Sequence, residues 1–217
     1  MRERSSAGRR VPTASPGGGA RRVRIIGGRW KRTPLTVPDA PGLRPTPDRV
    51  RETLFNWLGQ DLSGLSCLDL FAGTGVLGLE AASRGAREVW LVESHRLARQ
   101  ALEQAIGRLQ AQGVRIADSD ALGAIARARA QGARFDLVFL DPPFHEGWLA
   151  RVLPLLPAVL RRPARVYVEA EAPLSGDDLR AWMGPGCSIV RADRAGQVFY
   201  HLVHCGADNN EPREESP

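Results

Sequence analysis

The sequence predicts an α/β fold in which a parallel sheet carries helices on both faces. From Ser66 onwards, short apolar runs that are typical of buried strands alternate with segments of helical periodicity. A glycine-rich turn joins the first of these strands to its helix, and two final runs around Ala195-Gly196 predict a hairpin. Sheets of this kind bind their ligands at the carboxyl ends of the strands, near the switch point in strand order.

Ahead of the alternating region, the sequence predicts a small β extension and one helix. Two short strands, 24–30 and 35–37, surround a Gly-Gly turn. After a loop, Thr46 is predicted to cap the helix, with Pro47 in the first helical position, and Gly59 to end it.

The alternating region then provides the remaining elements. Its predicted strands are 67–71, 88–93, 114–117, 135–140, 165–170, 187–191 and 197–203. Its predicted helices are 75–83, 96–112, 121–130, 147–160 and 176–183.

The length of 217 residues suits one domain with small additions. The expected parts are a disordered basic arm at 1–22, the β extension and helix at 23–60, the main domain at 61–203, and a disordered acidic tail at 204–217. No apolar run is long enough to span a membrane, and the N-terminus lacks the apolar core of a secretory signal. We therefore expect a cytoplasmic protein.

Cysteine content and charge give weaker information. Cys67, Cys187 and Cys205 lie far apart and predict neither a zinc site nor a disulfide framework, which fits a reducing compartment. The formal net charge is +6 at pH 7, and much of it comes from the N-terminal arm, so the folded part is only modestly basic.

The loop Asp141-Pro142-Pro143-Phe144 follows a buried strand and carries the strongest chemical signal. The two prolines fix the backbone, so the Asp141 carboxylate and the Pro142 carbonyl are held in direction. Both accept hydrogen bonds, and Phe144 offers a flat face for a ring, so the loop suits a planar base with an exocyclic amine. The alternatives are a plain strand-to-helix turn and, for His145, an ordinary surface position rather than a general base.

The glycine-rich turn predicts a nucleotide-type cofactor. Gly73, Gly75 and Gly78 fit the G-x-G-x-x-G spacing, with Thr74 between the first two, and this spacing serves NAD-type cofactors and S-adenosylmethionine about equally well. Asp69 precedes the turn and would repel a pyrophosphate, whereas the sulfonium and amino group of S-adenosylmethionine are cationic. A turn without ligand, with Asp69 as a simple cap, is the alternative.

Further acids end the neighbouring strands. Glu93 can accept both hydroxyls of a ribose, which either cofactor requires. Asp120, next to Ala121, can accept from an adenine amine, but Asp118 is an alternative for that contact, and either acid can merely cap the following helix. Glu169 and Glu171 flank the end of the fifth strand and receive no assigned role.

The order of these motifs resembles that of class I methyltransferases that modify exocyclic amines, and more narrowly the RsmD family of 16S ribosomal RNA guanine-N2 methyltransferases. The resemblance covers about residues 23–203. The segments that carry it are 24–28, 42–46, 48–57, the glycine turn, the 141–144 loop, 167–169 and 195–198.

The resemblance implies a Rossmann-like class I methyltransferase sheet of seven strands, mostly parallel with an antiparallel last strand, plus a small N-terminal β extension. Asp69, Gly73, Thr74 and Gly75 would face S-adenosylmethionine, Glu93 would hold its ribose, and Asp120 with Ala121 would border its adenine. Asp141, Pro142 and Phe144 would hold the target base.

RNA would contact residues of the N-terminal region, most of them basic. Its backbone would contact Arg24, Arg29, Lys31 and Arg32, the mouth of the pocket would include Arg44 and Arg49, and a further substrate-binding candidate is Thr46. For the arginines, solvated surface positions are the alternative. The expected partner is 16S ribosomal RNA within an assembling or assembled small subunit, bound by a monomer.

Three other functions remain open from the sequence. A DNA adenine-N6 methyltransferase could use the same base pocket, although the chain has no room for a separate DNA-recognition domain. An NAD-type oxidoreductase would use the glycine turn and Glu93 but leaves Asp69 and the 141–144 loop unexplained. A non-catalytic RNA-binding assembly factor is the third alternative.

Overall fold

A computed structural model describes residues 22–38 and 46–206 of the chain. The predictions for residues 1–21, for Arg44 and for residues 207–217 lie outside this part. Within it, none of the helices combines the length and hydropathy needed to cross a bilayer. The described residues form a two-stranded sheet and a seven-stranded sheet with helices on both faces, which confirms the predicted fold class.

The elements follow one another in the predicted order. The strands are β1 Arg22–Arg24, β2 Pro34–Thr36, β3 Ser66–Asp69, β4 Glu88–Val92, β5 Val114–Ala117, β6 Phe135–Leu140, β7 Leu160–Ala170, β8 Cys187–Ala195 and β9 Val198–Cys205. The helices are α1 Asp48–Leu58, α2 Val76–Ser83, α3 Arg96–Leu109, α4 Ala121–Ala130, α5 Trp148–Val152 and α6 Gly176–Met183, with a 3₁₀ segment over Leu153–Ala158.

The large sheet has the strand order β5-β4-β3-β6-β7-β9-β8. Strands β3 to β7 are parallel, and β9 pairs antiparallel with both β7 and β8. The chain runs outwards from β3 to β5 and then returns to the other side of β3 as β6. The order therefore reverses between β3 and β6, so that a crevice opens at the carboxyl ends of these two strands.

The core consists of two apolar layers, one on each face of the large sheet. One layer contains buried residues of α1, α2, α3 and the N-terminal extension, and the other contains those of α4, α5 and α6. Strand residues alternate between the two layers: Phe139 and Tyr167 face the first, and Val138 and Val168 face the second. The N-terminal extension is thus part of the main domain's core.

A buried charge network fixes the extension to the main domain. Glu80 on α2 is fully buried and accepts from the backbone N–H groups of Ile26 and Gly27, each at 2.7 Å. Its carboxylate also lies 2.8 Å from the Arg84 guanidinium and 3.7 Å from that of Arg51. We refer to these five residues as the Glu80 network. Because two arginines and two amides surround one carboxylate, the buried charge is compensated within the protein.

The predicted start of α1 is wrong for both Thr46 and Pro47. Thr46 does not cap the helix: the N-cap position belongs to Pro47, no side chain caps the helix, and the first helical residue is Asp48. The Thr46 hydroxyl instead donates to Asp141 Oδ2 at 3.1 Å. The Thr46 hydroxyl therefore forms a tertiary hydrogen bond instead of the helix cap that the local sequence predicts.

Several predicted boundaries also change. The predicted helix over 147–160 is the short α5 followed by a 3₁₀ segment that contains Pro154 and Pro157, because proline cannot supply the N–H of a continuing helix. Strand β7 starts five residues earlier than predicted, and β8 and β9 extend to Ala195 and Cys205.

The expectation that the cysteines form no disulfide is wrong. Cys187 of β8 and Cys205 of β9 are direct partners in the antiparallel register, with their Cα atoms 4.1 Å apart, and they form a disulfide. Cys67 is a free, buried thiol, as expected. Within residues 22–38 and 46–206, no group of three or more His, Cys, Asp and Glu residues is arranged to hold a metal ion.

Candidate active site

Acidic side chains cluster where the parallel strands end. Asp69 is the last residue of β3, Glu93 follows β4, Asp120 follows the β5 turn, Asp141 follows β6, and Glu169 lies near the end of β7. The strand order places β3 and β6 side by side, with β7 next to β6. The sheet therefore brings Asp69, Asp141 and Glu169 to one edge of the crevice.

The glycine turn after β3 has the backbone that the sequence predicts. Gly73 and Gly75 have φ values of 51° and 74°, in the left-handed region that glycine adopts without strain. Gly78 lies on the first turn of α2, where an added Cβ would be 2.3 Å from Leu91 Cδ2. The glycines therefore allow a sharp turn and a close approach of α2 to the sheet.

Asp69 is buried and only partly satisfied. It is 1% exposed, and its Oδ2 accepts from the Gly78 N–H at 3.0 Å. Its Oδ1 has no hydrogen-bond partner among the residues that the structure describes. Burial raises the pKa of Asp69 to about 7, and the nearby charge of Asp141 adds to this effect, while the backbone N–H groups of Gly78 and Phe71 oppose it. A buried carboxylate oxygen without a donor is the feature expected where a ligand supplies the donor.

Glu93 connects the glycine turn to the end of β4. Its Oε2 accepts from the Gly73 N–H at 2.9 Å, and its Oε1 accepts from the His95 N–H at 2.7 Å. The side chain remains partly exposed. The two amides fix the orientation of the carboxylate, and each oxygen keeps a lone pair that can accept a hydroxyl group.

The two acids after β5 have different partners. Asp120 caps α4, because its Oδ1 accepts from the Gly123 N–H at 2.7 Å. Asp118 forms an ion pair with Arg99 at 2.8 Å. Ala121, the first residue of α4, is buried. Asp120 is therefore a cap, as one of the alternatives predicted, and its contact with an adenine stays a prediction.

The 141–144 loop is rigid and carries a carboxylate at its base. Asp141 accepts from Thr46 Oγ1, Pro142 is buried, and Phe144 is partly exposed. Burial raises the pKa of Asp141, although the Thr46 hydroxyl counteracts it. His145 lies at the surface, with a positive φ of 64°, and its Nδ1 is 2.8 Å from Glu171. This position fits the surface alternative for His145 rather than a general base.

Glu169 is a member of the site that the sequence analysis left without a role. It is 5% exposed, its Oε1 accepts from the Tyr167 hydroxyl at 2.8 Å, and its carboxyl group lies within hydrogen-bonding reach of Asp141. Burial and the charge of Asp141 both raise the pKa of Glu169. The signal in the sequence was the Tyr-Val-Glu spacing, which places Tyr167 and Glu169 on one face of the strand.

Comparison with known proteins identifies the family. The model of the family described as conserved hypothetical protein 95 matches residues 23–204. The ribosomal RNA small subunit methyltransferase D of Escherichia coli (strain K12) is 43% identical over 187 residues, which cover 85% of this chain and 90% of that protein. The chain belongs to the RsmD family. The protein of the same name from Haemophilus influenzae is 40% identical over 153 residues, which cover 69% of this chain and 79% of that one.

Solved structures agree with this RsmD-family fold. A methyltransferase from Escherichia coli superposes with a TM-score of 0.74 at 41% identity and covers 86% of this chain and 99% of that one. A methylase from Haemophilus influenzae gives 0.69 at 32% identity with the same coverage. A 16S rRNA N2 methyltransferase from Thermus thermophilus, solved with AdoMet and guanosine, gives 0.64 at 22% identity over 88% of this chain and 50% of that one, which shows the shared fold.

In this RsmD-family chain, a half-open cavity of about 280 Å³ lies beside the 141–144 loop. Pro142, Phe144, Trp148 and Trp182 contribute to its wall. The Trp148 ring is held edge-on against Phe71, with the ring centroids 5.3 Å apart. The cavity therefore places flat apolar faces next to the catalytic candidates, as expected for a region that accepts ring systems.

The predicted RNA-contacting residues have different surroundings. Arg29, Lys31 and Arg32 are exposed, and their side chains form no hydrogen bond or ion pair with other described residues. Arg24 is exposed but lies 3.2 Å from Asp48, and Arg49 is exposed on α1. The three unpaired cations form one stretch between β1 and β2, which we call the basic turn. Their contact with RNA stays a prediction.

Proposed function

We propose that this protein transfers a methyl group from S-adenosylmethionine to the exocyclic N2 amine of a guanine in 16S ribosomal RNA. Membership of the RsmD family supports the reaction and the substrate class. One observation in the site supports the chemistry most strongly. Asp69, Asp141 and Glu169 converge at the crevice, and no cation among the described residues contacts any of the three.

The residues around the glycine turn fit S-adenosylmethionine. The unpartnered Oδ1 of Asp69 can accept from its amino group, the oriented carboxylate of Glu93 can accept from its ribose hydroxyls, and the turn at Gly73–Gly75 leaves room for close approach. Ala121 and the capped start of α4 border the region expected for adenine. When bound, S-adenosylmethionine supplies an electrophilic methyl group on a positively charged sulfur.

The 141–144 loop would hold and activate the amine. The lone pair of guanine N2 is delocalised into the ring, which makes the amine a weak nucleophile. Asp141 and the Pro142 carbonyl can each accept one amine hydrogen, so that the lone pair is directed away from the ring. Orientation of this kind can contribute about 7–11 kcal/mol to lowering a barrier. Asp141 then accepts the proton that the methylated nitrogen loses.

RNA would reach the site as a flipped or looped-out nucleotide beside the basic turn. Arg29, Lys31 and Arg32 would contact the phosphate backbone, which positions an RNA without reading its sequence. We further propose that the substrate is the small-subunit RNA within an assembling or assembled particle, and that the enzyme acts as a cytoplasmic monomer.

Mass mapping of methylated nucleosides tests this function. Purified protein and labelled S-adenosylmethionine are incubated with naked 16S RNA, with small-subunit particles that lack the modification, and with duplex DNA. We expect N2-methylguanosine at one site of the ribosomal RNA and a strongly reduced rate of methylation with Asp141→Ala. N6-methyladenine in the duplex DNA, or no transfer to any RNA substrate, would overturn the proposal.

A further inference from the structure

Asp141 and Glu169 form a carboxyl pair at the ends of neighbouring strands. Leu140 of β6 pairs with Val168 of β7 in the sheet register, so Asp141 and Glu169, which follow them, lie side by side. The two carboxyl groups are within hydrogen-bonding reach, and Glu169 is 5% exposed. Two carboxylates in such contact strongly oppose simultaneous ionisation. The pair therefore shares a proton at neutral pH.

The hydrogen bonds around the pair indicate which carboxyl group holds that proton. The Thr46 hydroxyl donates to Asp141 Oδ2 at 3.1 Å, which favours a charged Asp141. The Tyr167 hydroxyl donates to Glu169 Oε1 at 2.8 Å, so Oε1 is an acceptor and a proton on Glu169 sits on Oε2. This bond by itself favours a charged Glu169, but burial and the charge of Asp141 outweigh it. Glu169 is also the more deeply buried of the two, and its pKa is raised by burial and by Asp141. The proton belongs on Glu169.

Among the described residues, the groups that face the pair do not supply a positive charge. Tyr167 lies on the same strand, Tyr200 is opposite Glu169 in the register of β9, and Asp69 ends β3 on the other side of Asp141. The Tyr200 hydroxyl donates to Asp193 at 2.9 Å, and Arg49 of α1 acts on Asp193 and Tyr200 rather than on the pair. Because no described cation faces the pair, a shared proton relieves the repulsion before substrate arrives.

We propose that protonated Glu169 donates a hydrogen bond from Oε2 to the Asp141 carboxylate and so holds Asp141 as a charged, oriented acceptor for the substrate amine. This positioning role rests on the proposed methyltransferase function. Guanine N2 forms a bond to the methyl carbon as the carbon–sulfur bond breaks, and N2 then loses one proton to Asp141. The pair begins with one proton and one negative charge, and it ends with two protons and no charge until water removes the second proton.

The pH dependence of kcat in two variants of Glu169 tests this role. Glu169→Gln keeps an N–H donor towards Asp141, so we expect kcat at pH 7 within about fivefold of the wild-type value. Because glutamine does not titrate, the alkaline decline of kcat that deprotonation of Glu169 causes in the wild type should be absent. Glu169→Ala removes the donor, so kcat should fall about 10- to 100-fold at pH 7. Its acidic limb should also move to higher pH, because the Asp141 anion loses support.

Tyr167→Phe provides a second variant that keeps the shape of the buried site. It removes the donor to Glu169 Oε1, which makes the Glu169 proton harder to lose, so the alkaline limb should move to higher pH. Glu103→Gln, an exposed change on α3 with no described contact, is the matched control and should leave the profile unchanged.

Two results would overturn the role of Glu169: an alkaline limb that persists unchanged in Glu169→Gln, or a loss of kcat in Glu169→Gln as large as in Glu169→Ala. Both results are compared with a wild-type enzyme that is active in methylating ribosomal RNA. A wild-type protein without that activity refutes the proposed function instead, so the two failures are distinguishable.

Discussion

Two acidic regions, one on α2 and one at the ends of the parallel strands, differ in how their negative charges are compensated. On α2, Glu80 is surrounded by Arg51, Arg84 and two backbone amides, all from this chain. At the strand ends, Asp69, Asp141 and Glu169 have no cationic partner among the described residues, and their pKa values are raised, mainly by burial. The negative charge in the first region is compensated by the chain itself, whereas the described residues do not compensate the charge in the second.

This difference separates a structural role from a chemical one. A buried charge that the chain itself neutralises locks two elements together, here α2 and the N-terminal extension. A buried acid without a counterion costs stability, and such sites are typical of binding and catalysis. The methyl donor is cationic and the methylated amine becomes so, so the missing positive charge arrives with the reactants.

Loss of Asp141 tests the second region and should have the largest effect. In Asp141→Ala, we expect turnover to fall about 10²- to 10⁴-fold because the amine loses its oriented acceptor. S-adenosylmethionine binding should survive, because Asp69, Glu93 and the glycine turn are untouched. Single-turnover methylation and calorimetry on the same preparation measure both. Near-normal turnover would contradict the assignment of Asp141.

Loss of the Glu80 charge tests the first region. Glu80→Gln leaves Arg51 and Arg84 buried without their shared anion, so we expect the free energy of unfolding to fall by about 3 kcal/mol. Urea denaturation of this variant measures the loss, with the exposed change Glu103→Gln as a control within about 0.5 kcal/mol of the wild type. A change in Glu80→Gln as small as in the control would show that the network adds no stability.

The pH dependence of the free energy of unfolding tests the burial of Asp69, with Asp69→Asn as the neutral comparison. The pKa of Asp69 is about 7 in the folded protein and about 3.9 when unfolded, so the folded state binds the proton more tightly. The stabilisation of the folded state that comes from this proton is present at low pH and is lost as the pH rises to 7. From pH 5 to pH 8, the wild type should lose about 2–3 kcal/mol relative to Asp69→Asn.

Chemical denaturation of both cofactor-free proteins across this range measures the difference. Parallel curves for the two proteins would mean that Asp69 is ionised throughout and that its charge is already compensated.

Reversal of the basic turn is expected to have the smallest effect per residue. Replacing Arg29, Lys31 and Arg32 by glutamate should weaken RNA binding and reduce the slope of log K against log salt by about one for each lost phosphate contact. The matched control reverses three exposed cations across the sheet: Arg127 and Arg129 on α4, and Arg134 just before β6. Equal losses in both variants would assign the effect to net charge rather than to the basic turn.

The fold was largely predictable from the sequence because local sequence patterns define most of its helices and strands. Strand β6 and helix α4 have the predicted bounds, since an apolar run and a helical segment with an acidic cap define them. The glycine turn lies where it was predicted, between β3 and α2. The same local patterns failed for Thr46, whose hydroxyl bonds a residue 95 positions away.

The site was predictable only in part because its decisive contacts join distant segments. Asp141 stood out through its prolines, but its partner Glu169 depends on the register of β6 and β7, which one sequence does not reveal. The disulfide between Cys187 and Cys205 likewise depends on the register of the final hairpin. The Glu80 network joins three segments, namely the N-terminal extension, α1 and α2, and no local motif predicts it.

Proton release on cofactor binding tests most directly whether ligands supply the missing charge. Calorimetric titration with S-adenosylmethionine near pH 6.5, in buffers of different ionisation enthalpy, counts the protons exchanged. At this pH Asp69 is mostly protonated in the free protein and must ionise to hold the cationic amino group. We expect net proton release by the wild type and none by Asp69→Asn. Equal proton exchange in the two proteins would contradict the account.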